Sequence, residues 1–569
     1  MKTSALFASL IPLVMVILIL TISLSSTYSE VNGLELASIA TNGTQGNSES
    51  QRSVISNDGR YIVFTSYANN LVANDNNNTG DIFIRDRQLG TTSIVLIGLN
   101  GTQGNGDIYA LDVSDDGRYI AFNSDSTNLV PNTPTDNCTN INLATYFCGG
   151  TFVHDRTTGE TVMVSVSSWG DIANDSQEGV SISGNGRYVM FHSRASNLVP
   201  NDTIICLDLD NENCPDVFVH DLLLSQTSLI SVASDGSHAN HLSLIGSFSD
   251  NGRYATFLSN ATNLDPRITT NNYNIYVHDQ YIGTTTLVSV GYDGSASNDW
   301  SYYEPQISGD GRYVAFSSYA SNLVSNDTNN CPNSDGIFGT SCMDIFIRDL
   351  QTNMTTRIVP FFGQPNVDAY VSSISDNGNI IAFNAADGNL VIGDSNNAND
   401  VFVYYQANSR IDKVSIRYDG LESNKGGWGG KISGDGKWIS FVSSDNLIPD
   451  DTNTVCYDSS NSTNTANCGD IYVRDLEYVI IPPLATAPPT TTLIPTLTQV
   501  PTNTPILTIT PTRTATPTRT ATPTRTATPT RTATPTRTAT PTLALETHFI
   551  NEQVLLNAMQ NHQNAEMQI

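Results

Sequence analysis

Short apolar runs, each ended by a polar turn, follow one another from Leu34 to about Pro482. One phrase returns seven times: "ISNDGRYIVF", "VSDDGRYIAF", "ISGNGRYVMF", "FSDNGRYATF", "ISGDGRYVAF", "ISDNGNIIAF" and "ISGDGKWISF". Its glycines, Gly59, Gly117, Gly186, Gly252, Gly311, Gly378 and Gly436, lie 58, 69, 66, 59, 67 and 58 residues apart. Each phrase joins an apolar strand to a second one through an Asp-Gly or Asn-Gly turn, where glycine supplies the positive φ, so it predicts a hairpin. A third strand follows, as in "DIFIRD", "TFVHD" or "NIYVHD", and a fourth after a short turn, as in "TTSIVLI" or "TTTLVSV". The second and third strands are apolar on both faces, as expected of a sheet packed between neighbours. Four strands per unit at a fixed period predict an all-β chain folded as a seven-bladed β-propeller.

The last unit runs "DIYVRDLEYVIIPPL" into proline-rich sequence without a fourth strand. The segment "LELASIATNGTQGN", ahead of the first unit, matches the fourth strand and exit of other units, such as "TTLVSVGYDGSASN". An N-terminal strand therefore completes the seventh blade. Closure of this kind removes an exposed sheet edge.

The phrase "ISGDGRYVAF" followed by "DIFIRDL" resembles the WD-like repeats of TolB-type β-propellers of bacterial envelope and secreted proteins, and the resemblance covers residues 34–482. It implies the architecture and little about function, because such propellers serve as binding proteins, peptidase gates and polysaccharide lyases. Two departures limit what carries over. TolB has an α/β domain before its propeller for which this sequence leaves no room, and its usual ring has six blades where seven are counted here.

In a propeller blade the first-to-second and third-to-fourth turns share one face, and the second-to-third loops and crossovers share the other. The first set is short here and the second holds every long segment. The eight cysteines fall into four local pairs in second-to-third loops: Cys138 with Cys148, Cys206 with Cys214, Cys331 with Cys342, and Cys456 with Cys468. Zinc fits less well, since it favours Cys-x-x-Cys spacing and converging ligands and no histidine adjoins these pairs. Local disulfides that stiffen the enlarged loops are the expectation.

Loops on a rigid scaffold are where binding residues concentrate. The crossovers carry Trp169, Trp300 and Trp428, with Tyr302 and Tyr303 beside the second. These rings either stack on a protein or glycan ligand or plug the gaps between adjacent blades. A recurrent asparagine (Asn47, Asn105, Asn174, Asn240, Asn298, Asn366 and Asn424) reads as a turn-capping residue. The loops "DNNNTGD", with Asp75, Asn77 and Asp81, and "DSNNAND", with Asp394, Asn396 and Asp400, offer alternating oxygens as calcium loops do. Solvated Asn/Asp turns account for the same residues without a metal.

The formal net charge is −29, which argues against a nucleic-acid partner. No catalytic set stands out. His154, His220 and His278 alternate with Arg85, Arg348 and Arg474 at one repeat position, as structural residues do; His238 and His241 share a crossover. No G-x-S-x-G elbow with a hydrolase domain is present, which removes the peptidase-gate reading.

Residues 1–29 combine Lys2, an apolar run from Ala5 to Leu24 and small polar residues, and read as a signal peptide or, uncleaved, a membrane anchor. The propeller spans 30–482. Residues 483–543 form a Pro/Thr-rich stalk with "TPTRTA" repeats and residues 544–569 a short segment with amphipathic helical spacing. The expectation is a secreted or cell-surface, non-catalytic propeller that binds protein or glycan ligands through its long-loop face; the alternative is a secreted carbohydrate-active lyase or hydrolase.

Overall fold

The computed structural model describes residues 33–478 apart from 78, 96, 132–148, 203–204, 207–211, 326, 328–341, 360–367, 387–389, 397, 454–455, 458–462 and 465–467. Residues 1–32 and 479–569, where a leader, a stalk and a C-terminal segment are expected, lie outside the described residues.

Seven four-stranded antiparallel sheets are arranged as blades. Blade one is Ser50–Ile55, Tyr61–Ser66, Asp81–Asp86 and Thr91–Ile94. The first strands of blades two to six are Ile108–Val113, Gln177–Ile182, Ser243–Phe248, Ser301–Ile307 and Ala369–Ile374. Blade seven takes Trp428–Ile432, Trp438–Ser443 and Asp470–Asp475 from the end of the propeller and Leu34–Leu36 from its beginning. The first strands touch one another in sequence, and Ser50–Ile55 touches Trp428–Ile432, so the ring is closed around a central channel.

Closure is made by the expected strand. Leu34 pairs with Arg474 and Leu36 with Tyr472, and the Ala37 N–H donates to Ile471 O at 2.7 Å. Ser38 Oγ donates to Asp470 Oδ1 at 2.7 Å and accepts from the Ile471 N–H. Glu35 pairs with Arg87 of blade one, so the closing strand is tied to the neighbouring blade as well.

Within every blade the phenylalanine ending the repeat phrase faces an aromatic of the third strand, as Phe64 faces Phe83 and Phe441 faces Tyr472. The seven pairs stack with centroids 5.3–5.8 Å apart. Each such pair contributes about 0.5–1.5 kcal/mol beyond its area of burial.

The hairpin turn is longer than the tight two-residue form. In blade one it spans residues 56–60, and only Gly59 has positive φ. Ser56 Oγ donates to Asp58 Oδ1 and accepts from the Tyr61 N–H, while Asp58 Oδ1 also accepts from the Arg60 N–H. Arg60 then reaches Asp86 at the end of the third strand through its Nε and Nη2. The same bidentate pair recurs as Arg118–Asp155, Arg187–Asp221, Arg253–Asp279 and Arg312–Asp349. The first arginine and the last aspartate of the motif are thus one interaction.

The turn glycines have φ of 68–74°. A Cβ on six of them would collide with the aromatic that follows the Arg or Lys of the preceding blade's phrase, as at Gly117 with Tyr61, Gly186 with Tyr119 and Gly59 with Trp438; at Gly436 the neighbour is Ile380. The gaps between blades on this face are therefore filled by the phrase's own aromatic.

The recurrent histidines and arginines are structural here. His154, His220 and His278 place Nδ1 2.9–3.0 Å from a fourth-strand threonine hydroxyl, and Arg85 and Arg348 donate to the equivalent threonines. The recurrent crossover asparagine caps by pairing with a second segment: the Asn47 N–H donates to Asn70 Oδ1, and the Asn69 N–H to Asn47 Oδ1. Asn366 lies outside the described residues.

Two glycines separate backbone strain from packing. Gly159 has φ 75° and open space around its Cβ position, whereas Gly186 has φ 71° and Tyr119 against it. We expect Gly159→Ala to cost about 1 kcal/mol from the left-handed backbone alone and Gly186→Ala roughly 1–3 kcal/mol more from overpacking. Denaturant unfolding of the two variants checks this, and equal midpoints would refute the packing role of the aromatic.

Candidate functional site

The two ends of the channel differ. At the short-turn end a closed ring of backbone hydrogen bonds links all seven blades. The N–H of Asn57 donates to Asp115 O, Asp115 to Gly184, Asn185 to Asp250, Asp250 to Gly309, Asp310 to Asp376, Asp376 to Gly434 and Asp435 back to Asn57, at 2.9–3.1 Å. From blade two to blade seven aspartate and glycine alternate around this ring, because each of the Asp115, Asp250 and Asp376 carboxylates lies over the next blade's glycine, where a Cβ would collide with it. Asn57 Nδ2 donates to Asp376 Oδ2. Burial, then the charges of Asp376 and Asp112, push Asp115 up to about 6, and burial, then Asp376 and Asp115, push Asp250 up to about 7. Burial raises Asp376 as well.

The channel holds a cavity of about 640 Å³ lined by the first strands of all seven blades. Among its lining side chains are Arg52, Tyr109, Asp112, Glu304, Gln306, Trp428 and Lys431. Asp112 accepts from the Ile182 N–H at 2.9 Å, a role that Ser247 and Ser373 fill in other blades toward Ile307 and Ile432. Its carboxylate is thus more than the architecture requires. Burial raises Asp112, opposed by the Ile182 amide and by Lys431. Glu304 is exposed by surface area inside the channel, yet the surrounding channel wall desolvates its charge and raises it, opposed by Lys431 and His192. Asp112, Glu304 and Lys431 therefore form one interacting group of charges.

Every first strand contains a register shift. Bulges of this kind re-aim side chains. In blades one and five the bulged region puts a non-glycine residue at positive φ, Arg52 at 48° and Tyr303 at 61°. Such strained positions are found where a side chain is held for a purpose other than stability.

At the long-loop end the aromatics gather on one side. Tyr303 stacks on Tyr370 with centroids 4.8 Å apart and meets Tyr302 edge-on at 5.2 Å. Trp300 meets Tyr273 edge-on at 5.2 Å. Trp300, Tyr302, Tyr303 and Tyr273 line a second cavity of about 320 Å³ that also includes His192 and Glu304, and Glu304 lines the channel cavity as well. The structure thus brings together Trp300, Tyr302 and Tyr303, with Tyr302 40% and Tyr303 45% exposed. Trp428 reaches the channel from blade seven, and Trp169 stands apart at a crossover tip, 70% exposed.

Sequence reasoning passed over Tyr370, Tyr273, Asp112, Glu304 and Lys431. A signal existed for two of them. The residue two before the turn serine reads Val54, Asp112, Ser181, Ser247, Gln306, Ser373 and Lys431, and only blades two and seven place a charge there.

The acidic loops take two forms. Among the described residues, one group of acids is close enough to hold a metal, Asp394, Asp400 and Glu422. The Lys413 ammonium already sits in it, at 3.1, 2.7 and 3.0 Å from the three carboxylates. Asn396 Nδ2 donates to Asp400 Oδ2 there. In blade one, Gln103 Nε2 donates to both Asp75 and Asp81, and burial, then the charge of Asp75, push Asp81 up to about 7. The described cysteines contain no free thiol; Cys214, Cys342 and Cys468 are disulfide-bonded, and Cys138, Cys148 and Cys331 lie outside the described residues. Cys206 and Cys456 each sit in a two-residue ladder within the same enlarged loops.

No protein-family model matches the sequence, and no curated protein matches it. Among solved structures the chain is similar to TolB from Acinetobacter baumannii, at 13% identity and a TM-score of 0.32, over 64% of this chain and 64% of that one. It is also similar to an oligogalacturonate lyase in complex with manganese, at 11% identity and a TM-score of 0.42, over 76% and 89%. An oligogalacturonate lyase from Vibrio parahaemolyticus follows at 10% and 0.41, over 76% and 90%. TolB structures are thus among its structural neighbours, as the repeat phrase implied, although the match spans less than two thirds of the first TolB chain. These likenesses reach no further than the propeller; the ring itself rests on this chain's own strand pairing.

The carboxylates of the short-turn ring give the fold a pH dependence. Their folded values lie above the usual carboxylate range, so between about pH 4 and pH 7 the folded state holds more protons than the unfolded one, and stability falls as pH rises through that window. We expect Asp250→Asn to raise the melting midpoint at pH 8 more than at pH 5, read by thermal unfolding at constant ionic strength. An equal shift at both values would show that Asp250 is ionised throughout.

Proposed function

We propose that the protein is a non-catalytic binding propeller, acting outside the cytoplasm, that holds a glycan chain at the long-loop mouth of its channel. The observation that carries this reading is the continuous aromatic surface of Tyr302, Tyr303 and Tyr370 beside the polar, acid-lined channel. Exposed aromatic faces stack on the C–H faces of sugar rings, and carboxylates and amides such as Glu304 and Gln306 accept and donate hydrogen bonds to hydroxyls. The four cysteine pairs, joined as Cys138–Cys148, Cys206–Cys214, Cys331–Cys342 and Cys456–Cys468, hold the enlarged loops around this mouth and fit an oxidising compartment. The leader provides export and the Pro/Thr segment a spacer.

A second reading has its own observation. Asp112, Glu304 and Lys431 line one channel, and the Lys431 charge acts on both acids; paired acids with a base are what a glycoside hydrolase or lyase uses. A glycan array probed with the purified protein separates the two. The binding reading predicts retention of specific oligosaccharides, about tenfold weaker in Tyr370→Ala, with no new products on incubation. Products that disappear in Glu304→Gln would replace it with the enzymatic reading, and no retained glycan at all would remove both.

A further inference from the structure

Five blades carry a pair of aspartates at the same two places, one in the loop after the second strand and one at the first residue of the third. The pairs are Asp75/Asp81, Asp202/Asp216, Asp327/Asp344, Asp394/Asp400 and Asp451/Asp470. Blades two and four lack both members, with Thr133 and Gly150 in one and Ile268 and Asn274 in the other. The acids come and go as a pair, which a set of independent solvated turns does not require.

In two blades the pair holds a cation that the chain supplies from its fourth strand. Arg357 pairs with Asp327 and, at 3.1 Å, with Asp344 in blade five; Lys413 fills the pair in blade six. These two residues occupy one register position, opposite Phe346 and Phe402. In blades one and three the same position, opposite Phe83 and Phe218, is Ile94 and Leu229. Blade seven has Leu36 there, and its pair is engaged by Tyr472, Asn453 and Ser38.

The blade-one pair is bridged only by the neutral Gln103 amide, which donates to Asp75 Oδ1 at 3.0 Å and Asp81 Oδ2 at 3.1 Å and which an ion would displace, and blades one and three both leave buried oxygens over. Asp216 is 1% exposed, and while its Oδ1 accepts from Ser231 Oγ at 2.6 Å, its Oδ2 has no hydrogen-bond partner among the described residues. Asp202 beside it is also buried. In blade one, Asn77 Oδ1 and Thr79 Oγ1 are buried without a partner among the described residues, in the loop between Asp75 and Asp81.

We propose that blades one and three each bind a calcium ion, held by Asp75, Asn77, Thr79 and Asp81 in the first and by Asp202 and Asp216 in the third, at the position that Lys413 and Arg357 fill in blades six and five. Calcium takes six to eight oxygen ligands in adaptable geometry, and carboxylates, an amide oxygen and a hydroxyl are its usual donors. Blades five and six have a built-in cation and take no ion.

The test uses the full chain, stripped with EDTA and titrated with calcium chloride alone by calorimetry and by thermal unfolding. One ion per cage and a melting midpoint raised by several degrees are expected. Asp216→Asn and Asp81→Asn each lose one equivalent. Leu229→Lys supplies an ammonium where Lys413 has one; it loses one equivalent of calcium while its metal-free midpoint stays at or above that of the parent. Absence of calcium binding at millimolar concentration overturns the proposal. So does binding whose stoichiometry is unchanged in Asp216→Asn and Asp81→Asn, because the ion then sits elsewhere.

Discussion

The structure depends on one contact repeated around the disc: a left-handed turn glycine against which the preceding blade lays an aromatic ring. Gly117 under Tyr61 and Gly59 under Trp438 are the first and last members of the series. At six of the seven turns glycine is demanded twice, once by backbone conformation and once by the ring that occupies the place of its Cβ; at Gly436 the neighbour is Ile380. The backbone ring from Asn57 through Asp435 lies beside these contacts and links the same turns. Together they fix the angle and spacing of neighbouring blades. The joint between blades seven and one is made by the same means as those from blade one to blade six.

That rigid short-turn face determines where variation can go. The turns there are held by Ser56-type and Asp58-type hydrogen bonds and by the Arg60–Asp86 class of ion pair, so they have little freedom to change length. The second-to-third loops carry no such constraint, and all four cysteine pairs fall within them. Between the faces runs a channel whose wall is a strand from each blade. Side chains that depart from the repeat there, Asp112, Glu304 and Lys431, line one cavity although they are far apart in the chain. Tyr303 and Tyr370 from adjacent blades form the aromatic surface at its mouth in the same way.

Much of the fold was legible because propeller folding is local. The seven phrases, the doubly apolar second and third strands and the match of "LELASIA" to a fourth strand gave the blade count, the strand order and the closing partner, and the structure has all three. The site was legible only in part. Trp300, Tyr302 and Tyr303 stood out as large aromatics in polar crossovers, but their neighbours Tyr370 and Glu304 lie in strands that resemble any other blade's. Residues that meet across a closed ring have no sequence spacing to betray them. The Asp394–Asp400 loop shows the same limit. Its acids read as calcium ligands, and the cation that fills them, Lys413, comes from a strand on the other side of the third one. Trp169, the most conspicuous aromatic in the crossovers, meets none of the rings at the channel mouth.

The central claim is that the chain's first strand is an integral member of the last blade. Peptide-resolved hydrogen exchange of the native protein measures this directly at residues 34–37 and 470–475. Protection of both segments equal to that of the second and third strands of blades one and six is the predicted result. Rapid exchange at 34–37, while 438–443 and 470–475 remain protected, would contradict it, because the ring would then be held together without the strand that closes it.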